Sequence, residues 1–154
     1  MTSDLVKVRF DLDPADWHRT PSESLWAKPL GSDMQPGAYE LENTPFFAKG
    51  VSFLDIIRAA PDAHGGLTYR GVVAHSGRST YRIIVNDPAG FDVLWRELES
   101  FGCTYESADF EERTLYAVDV PENANLYAAY EVFKKGERQG IWLFEEGHAG
   151  YKLR

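Results

Sequence analysis

The sequence predicts an α+β protein with a small β-barrel-like half followed by a ferredoxin-like βαββαβ half. Up to about residue 75, short segments of alternating apolar and polar residues are separated by turn formers, which is typical of a small barrel. After about residue 78, strand and helix patterns follow in the order strand, helix, strand, strand, helix, strand, which is the ferredoxin-like order. We therefore expect two subdomains, at residues 5–75 and 78–154.

The first half contains four segments with the pattern or composition of strands. They lie at 6–10, 23–27, 38–43 and 67–74. Residues 52–59 fit either a short helical turn or a fifth strand. A hairpin turn is expected at 62–66 and a mobile loop at 32–37, because both segments are rich in turn formers.

The second half opens with a strong strand pattern at 79–85, and a helix pattern follows it. Asp87 is expected to cap this helix, Pro88 occupies its first position, and Gly102 follows its end. Its apolar residues recur at helical spacing. They are Phe91, Leu94, Trp95, Leu98 and Phe101.

A second helix carries Leu126, Tyr130 and Phe133 on one face, and we expect it to end at Gly136. Three further strands are expected at 104–107, 114–120 and 140–145. The four strands of this half then form an antiparallel sheet with both helices on one face.

The composition bounds the class of protein. A formal net charge of -8 argues against nucleic-acid and membrane partners, since both are anionic. The sequence has no apolar run of about 18 residues that would span a membrane. The first residues lack the basic and apolar regions of a signal peptide, so we expect a cytoplasmic protein. The single cysteine, Cys103, is expected to be a buried apolar residue.

Acidic residues are dense in one part of the second half. They are Glu97, Glu99, Glu106, Asp109, Glu111 and Glu112. Such a surface attracts a basic protein, and it also serves simply as a solvated face that keeps the chain soluble. The second interpretation is the more common one, and the first remains open.

The residue types for acyl transfer are present, but their spacing does not support it. Ser76 or Ser79 would be the nucleophile, His75 the base and Asp55 the residue that orients the base. His75 and Ser76 are adjacent, so their side chains point apart on a strand. The serines are therefore expected to satisfy backbone groups at a turn. The four histidines show no metal-binding spacing either, and we expect no metal and no cofactor.

The segment 76–80 has two interpretations that involve arginine. Backbone amides, hydroxyls and Arg78 would bind an anion there. Alternatively, Arg78 and Arg82 form ion pairs across the fold, with Glu23, Glu42 or Asp55 as the available carboxylates. Structural pairing is favoured.

An aromatic set offers either core packing or the wall of a ligand pocket between the two halves. It consists of Trp17, Trp26, Phe46, Phe47 and Phe53. With the polar residues discussed above, the candidate ligand-binding residues are Trp26, Asn43, Phe46, Phe47, Asp55, His75, Arg78, Ser79 and Arg82.

Three motifs, at 23–31, 43–52 and 76–82, resemble a bacterial family of uncharacterised proteins that is known as a domain of unknown function. Their residues are E-S-L-W-A-K-P-L-G, N-T-P-F-F-A-K-G-V-S and S-G-R-S-T-Y-R. The resemblance covers nearly the whole chain. It implies a compact cytoplasmic protein of bacterial origin and supplies no activity, substrate or catalytic residue.

These observations favour a non-catalytic binding or regulatory module with a protein or small-molecule partner. One alternative is a small enzyme whose site lies at the junction of the halves and uses Asp55, His75 and Arg78. Another is an immunity-type protein that neutralises a basic toxin through its acidic face. An enzyme requires these polar residues to cluster in a pocket, whereas a partner-binding protein requires an exposed apolar or acidic patch.

Overall fold

The computed structural model describes residues 4–31 and 37–150, and these ranges contain nine strands and two helices. The predicted α+β class is confirmed. The expected mobile loop at 32–37 falls outside the described residues, apart from Gly37. Along the chain the elements are β1 Val6–Asp11, β2 Ser22–Pro29, β3 Ala38–Leu41, β4 Ile56–Pro61, β5 Leu67–Ala74, β6 Ser79–Val85, α1 Pro88–Ser100, β7 Thr104–Phe110, β8 Arg113–Val120, α2 Leu126–Arg138 and β9 Trp142–His148.

The first five strands close into a barrel. Neighbours along the chain pair antiparallel, and β1 closes the barrel by pairing parallel with β5, where Val8 lies opposite Leu67. Successive side chains along each strand point to opposite faces, so every second side chain lines the interior of the barrel. The interior contains an apolar core with Phe10, Leu41 and Ile57 among its buried members.

The segment at 52–59 is divided between a turn and a strand. The strand β4 begins only at Ile56. Before it, the Asp55 N–H donates to the carbonyl of Ser52, and Leu54 has a φ of 68°, which prevents an extended chain. This turn places the buried Asp55 at the start of β4.

The second sheet has four antiparallel strands in the order β7-β8-β6-β9. On the central strand β6, Tyr81, Ile83 and Val85 point to one face. These residues belong to the same apolar core as Phe91 of α1 and Phe133 of α2. Both helices therefore cover this face of the sheet, and the opposite face is left for the barrel. No described helix is long and apolar enough to cross a membrane.

Two details of the helices differ from the sequence prediction. Asp87 is the N-cap residue of α1, but its side chain makes no capping hydrogen bond. The second helix continues through Gly136 and ends at Arg138. Position 136 requires glycine for packing and not for a helix end, because a Cβ there would overlap the indole ring of Trp142. The chain reverses instead at Gly140, whose φ of 71° favours glycine.

Burial is expected to make the Cys103 thiol react slowly with thiol reagents. The residue is 3% exposed, and desolvation, with a smaller effect of the Asp119 charge, raises the pKa of the thiol to about 12. Because the thiolate is the reactive form, we predict that native protein at pH 8 stays unlabelled by a thiol reagent such as DTNB. The urea-unfolded protein should react fully within the same time. Rapid labelling of the native protein would show that the thiol is accessible.

Candidate functional site

The barrel-facing side of the sheet carries a buried arginine. Arg82, in the middle of β6, is 1% exposed. Its guanidinium donates hydrogen bonds to the carbonyl oxygens of Phe46, at 2.7 Å, and of Ala48. Burial lowers the pKa of Arg82, and the charge of Glu145 opposes that effect. Gly147 lies against this side chain, and a Cβ at that position would overlap the guanidinium.

Glu23 of β2 binds the same segment of the chain, residues 46–48, from the barrel side. Its carboxylate accepts hydrogen bonds from the backbone N–H groups of Phe46, Phe47 and Ala48, at 2.6, 3.0 and 2.9 Å. The suggested ion pair between Arg82 and Glu23 is therefore not formed directly. Both charged groups bind the peptide groups between them, because that turn carries donors on one side and acceptors on the other.

Four of the candidate ligand-binding residues line one shallow cleft of about 330 Å³. They are Trp26, Asn43, Phe46 and Phe47. Three polar side chains of this cleft, Glu23, Asn43 and Glu106, already have hydrogen-bond partners. Glu106 of β7 accepts from the Asn43 side chain at 3.1 Å and from the Thr44 N–H at 2.6 Å, and Asn43 accepts from the Trp26 N–H at 2.8 Å. These hydrogen bonds connect the barrel to the sheet, so we name this cleft the barrel joint.

A second cleft of about 360 Å³ lies between the β1–β2 connection and the barrel-facing side of the sheet. We name it the junction cleft. Its lining residues are Trp17, Arg82, Ile84, Phe110, Glu111, Arg113, Leu143, Phe144 and Glu145. Trp17 contacts the rings of Phe110 and Phe47 at 5.5 and 5.8 Å between centroids. Its indole N–H donates to Glu145, which also pairs with Lys49.

The third feature is a group of titratable residues that we name the histidine cluster: Asp55, His75 and His148. The Asp55 carboxylate is fully buried and lies 3.0 Å from His75 Nδ1. It also accepts from the N–H groups of Ser52 and Ser76, at 2.9 and 2.8 Å. The His148 ring stacks on His75 at 4.5 Å between centroids. Burial and the neighbouring His75 lower the pKa of His148.

The candidate serine nucleophiles do not join this cluster. The Ser76 hydroxyl donates to the carbonyl of Phe53 at 2.9 Å. The Ser79 hydroxyl accepts from the N–H of Gly150 at 2.8 Å. Both serines satisfy backbone groups, which is the role that the sequence favoured. Within the described ranges, His75 thus has an orienting carboxylate and no hydroxyl hydrogen-bonded to it.

Arg78 forms an ion pair with a carboxylate that the sequence did not suggest. Its Nε lies 3.0 Å from both oxygens of Asp119, and Nη2 adds a third hydrogen bond. These hydrogen bonds raise the pKa of Arg78. Asp119 of β8 is fully buried, while the Arg78 side chain is 19% exposed. The guanidinium also lies over the ring of Phe53, at 5.4 Å.

The structure thus divides the predicted site residues among five places, because Ser79 belongs to none of the two clefts, the histidine cluster and the ion pair of Arg78. It also adds residues that sequence reasoning missed, chiefly His148, Asp119 and Glu106. His148 lies 73 residues after His75 in the sequence, so no local spacing connects them. The ion pair of Asp119 could have been predicted from the sequence, because a carboxylate inside the apolar run of β8 requires a charged partner.

These features define an α+β protein of two strand-rich halves with a polar junction between them. The chain belongs to the family described as Domain of unknown function (DUF4265), which matches residues 23–144. No curated protein matches the sequence. The fold is similar to that of a hypothetical protein from Neisseria gonorrhoeae, with a TM-score of 0.77, 18% identity, and coverage of 99% of this chain and 100% of that chain.

The pairing of Arg78 leads to a prediction about stability. Arg78→Ala leaves a buried carboxylate without its partner, so we expect the free energy of unfolding to fall by about 3–5 kcal/mol. Phosphate should not stabilise the wild type, because the guanidinium is already occupied. Urea denaturation with and without phosphate measures both effects. Arg58→Ala, at an exposed position of β4, is the control and should change stability by about 0.5 kcal/mol or less. Stabilisation by phosphate that depends on Arg78 would contradict the structural role.

Proposed function

We propose that the protein is a non-catalytic binding module that holds a small aromatic anion in the junction cleft. The observation that carries the proposal is the cleft itself, since side chains from both halves line it. Its volume of about 360 Å³ lies within the usual range for small-molecule sites, and such sites prefer the boundaries between subdomains.

The shape and composition of the cleft support a flat ligand. Trp17 is 39% exposed and Leu143 is 50% exposed, so both offer apolar surface that a ligand can cover. With Phe110, these side chains form aromatic and aliphatic walls. Planar rings stack on such walls and gain from both burial and ring geometry.

The charge of the ligand is inferred from Arg113. Its guanidinium donates to the neutral side-chain oxygen of Asn86 at 2.9 Å. In the described part of the chain, no carboxylate lies within ion-pair distance of it. By contrast, the cleft residue Glu145 is engaged by Trp17 and Lys49. The other cleft carboxylate, Glu111, also has no ion pair among the described residues, so the cleft offers one unpaired charge of each sign. Arg113 is the cationic group that would bind a carboxylate or sulfonate.

Anilinonaphthalene sulfonate is a suitable probe, because it combines a flat aromatic system with one anionic group. We expect the wild type to bind it with an increase in probe fluorescence. Arg113→Ala and Trp17→Ala should each weaken binding about tenfold, since each removes one of the two interactions. Fluorescence titration gives the dissociation constants.

Arg58→Ala is the matched control, because it removes an exposed arginine from the barrel without touching the cleft. It should bind the probe like the wild type. Equal affinities for all four proteins would place the probe elsewhere and would remove the support for an aromatic anion in this cleft.

One observation favours the alternative of a small enzyme at the junction. Asp55 orients His75 through Nδ1, and the His75 side chain is 46% exposed. An exposed imidazole that is held by a carboxylate through Nδ1 is the arrangement of a general base. Arg78, the third residue suggested for this enzyme, is occupied by Asp119. The base would therefore act on a water molecule.

This alternative has its own test in metal-free protein. His75→Ala should lower the rate of hydrolysis of an activated ester, such as p-nitrophenyl acetate, by at least about a hundredfold. His64→Ala, which removes an exposed histidine from the hairpin turn, should leave the rate unchanged. If both variants hydrolyse the ester like the wild type, His75 is not a general base for this reaction.

The remaining proposals have less support. An immunity-type function requires one acidic face, but Glu106 is engaged at the barrel joint and Glu97 pairs with Lys135. From the sequence we also propose that the protein is bacterial and lies in the cytoplasm.

We further propose that residues 5–75 form a barrel-like subdomain and residues 78–154 a ferredoxin-like subdomain. The strand orders and the position of both helices on one face of the sheet support this division.

A further inference from the structure

We infer that Asp55, His75 and His148 form a binding site for a divalent transition-metal ion of the zinc type. The histidine cluster brings one donor atom from each residue within 4.8 Å of the other two. This site is separate from the proposed binding of an aromatic anion, because none of the three residues lines the junction cleft.

The distances between the donor atoms are close to those of a coordination shell. Zinc bonds to nitrogen and oxygen are about 2.1 Å long, so donors in a tetrahedral site lie about 3.4 Å apart. The Asp55 carboxylate and His75 Nδ1 already lie 3.0 Å apart. The rings of His75 and His148 are stacked, with an interplanar angle of 15°, so one of them must turn out of the stack before both nitrogen lone pairs point at one ion. The His75 side chain is 46% exposed, which leaves room for this rotation.

The ligand types select the class of ion. Two imidazoles and one carboxylate suit zinc, cobalt, nickel and ferrous iron, whereas magnesium and calcium prefer a set made of oxygen atoms alone. Three protein ligands leave at least one coordination position for water. The exposed side of His75 provides the route by which an ion enters.

Binding exchanges one interaction for another. In the metal-free state the Nδ1 proton of His75 forms the hydrogen bond to Asp55. The tautomer with its proton on Nε2 presents the Nδ1 lone pair to the ion. The N–H groups of Ser52 and Ser76 continue to hold the carboxylate, which is the kind of outer support that metal ligands usually have.

The three ligands come from different parts of the fold. Asp55 precedes β4 and His75 follows β5, so both belong to the barrel half, whereas His148 ends β9 of the sheet. A bound ion would therefore connect the two halves directly. Because binding occurs only in the folded state, the ion should stabilise the protein against unfolding.

The experiment uses full-length protein freed of metal with EDTA and then dialysed. Calorimetric titration with zinc chloride should show one ion per chain, and the melting temperature should rise with zinc. Cobalt should give the absorption bands of a site with nitrogen and oxygen ligands, and magnesium should have no effect. His75→Ala and His148→Ala should each weaken zinc binding at least about tenfold.

His64→Ala is the matched control, and it should bind zinc like the wild type. Circular dichroism of the metal-free variants checks their fold, and His75→Ala alone decides the question if His148→Ala does not fold. The proposal is overturned if zinc fails to bind the wild type, if His75→Ala binds as tightly, or if His64→Ala loses as much affinity. The last result would indicate surface binding by exposed histidines.

Discussion

The turn at residues 46–48 is bound from two sides by opposite charges, and the arrangement of the two halves depends on it. Arg82 of the sheet takes two carbonyl oxygens of this turn, and Glu23 of the barrel takes three N–H groups. A buried guanidinium without such partners would cost several kcal/mol. The turn is therefore required by the sheet as much as by the barrel, and this explains why Ala48 is buried although it lies outside any strand or helix.

The connecting segment after this turn positions the histidine cluster. The Gly50 N–H donates to the carbonyl of Gly147 at 2.9 Å, and the hydroxyls of Ser52 and Thr80 lie 2.7 Å apart in a buried contact. These bonds fasten the segment to β6 and β9 just before it reaches Asp55. Gly147, which makes room for Arg82, precedes His148 in the chain. The same junction thus sets the position of the carboxylate and of the second histidine.

The elements of the second half were predictable because each depends on neighbours in sequence. Alternation gave β6, and helical spacing gave both helices, whereas the end of α2 was predicted too early because Gly136 serves a packing contact with Trp142 rather than a stop. The site was less predictable. Asp55 and His75 were named as a pair of suitable types, but His148 comes from a different sheet, and only the folded chain brings it near.

The junction differs in kind from the two cores that it connects. Each half has its own apolar core, while the buried polar residues Ser52, Asp55, Thr80, Arg82 and Asp119 lie between them. Apolar packing tolerates small shifts, but hydrogen bonds and ion pairs depend strongly on distance and angle. A polar junction therefore fixes how the halves are oriented. It also allows one directional bond, such as that between Asp55 and His75, to be replaced by a bond to a ligand while both cores stay intact, which makes this boundary the natural place for a binding site.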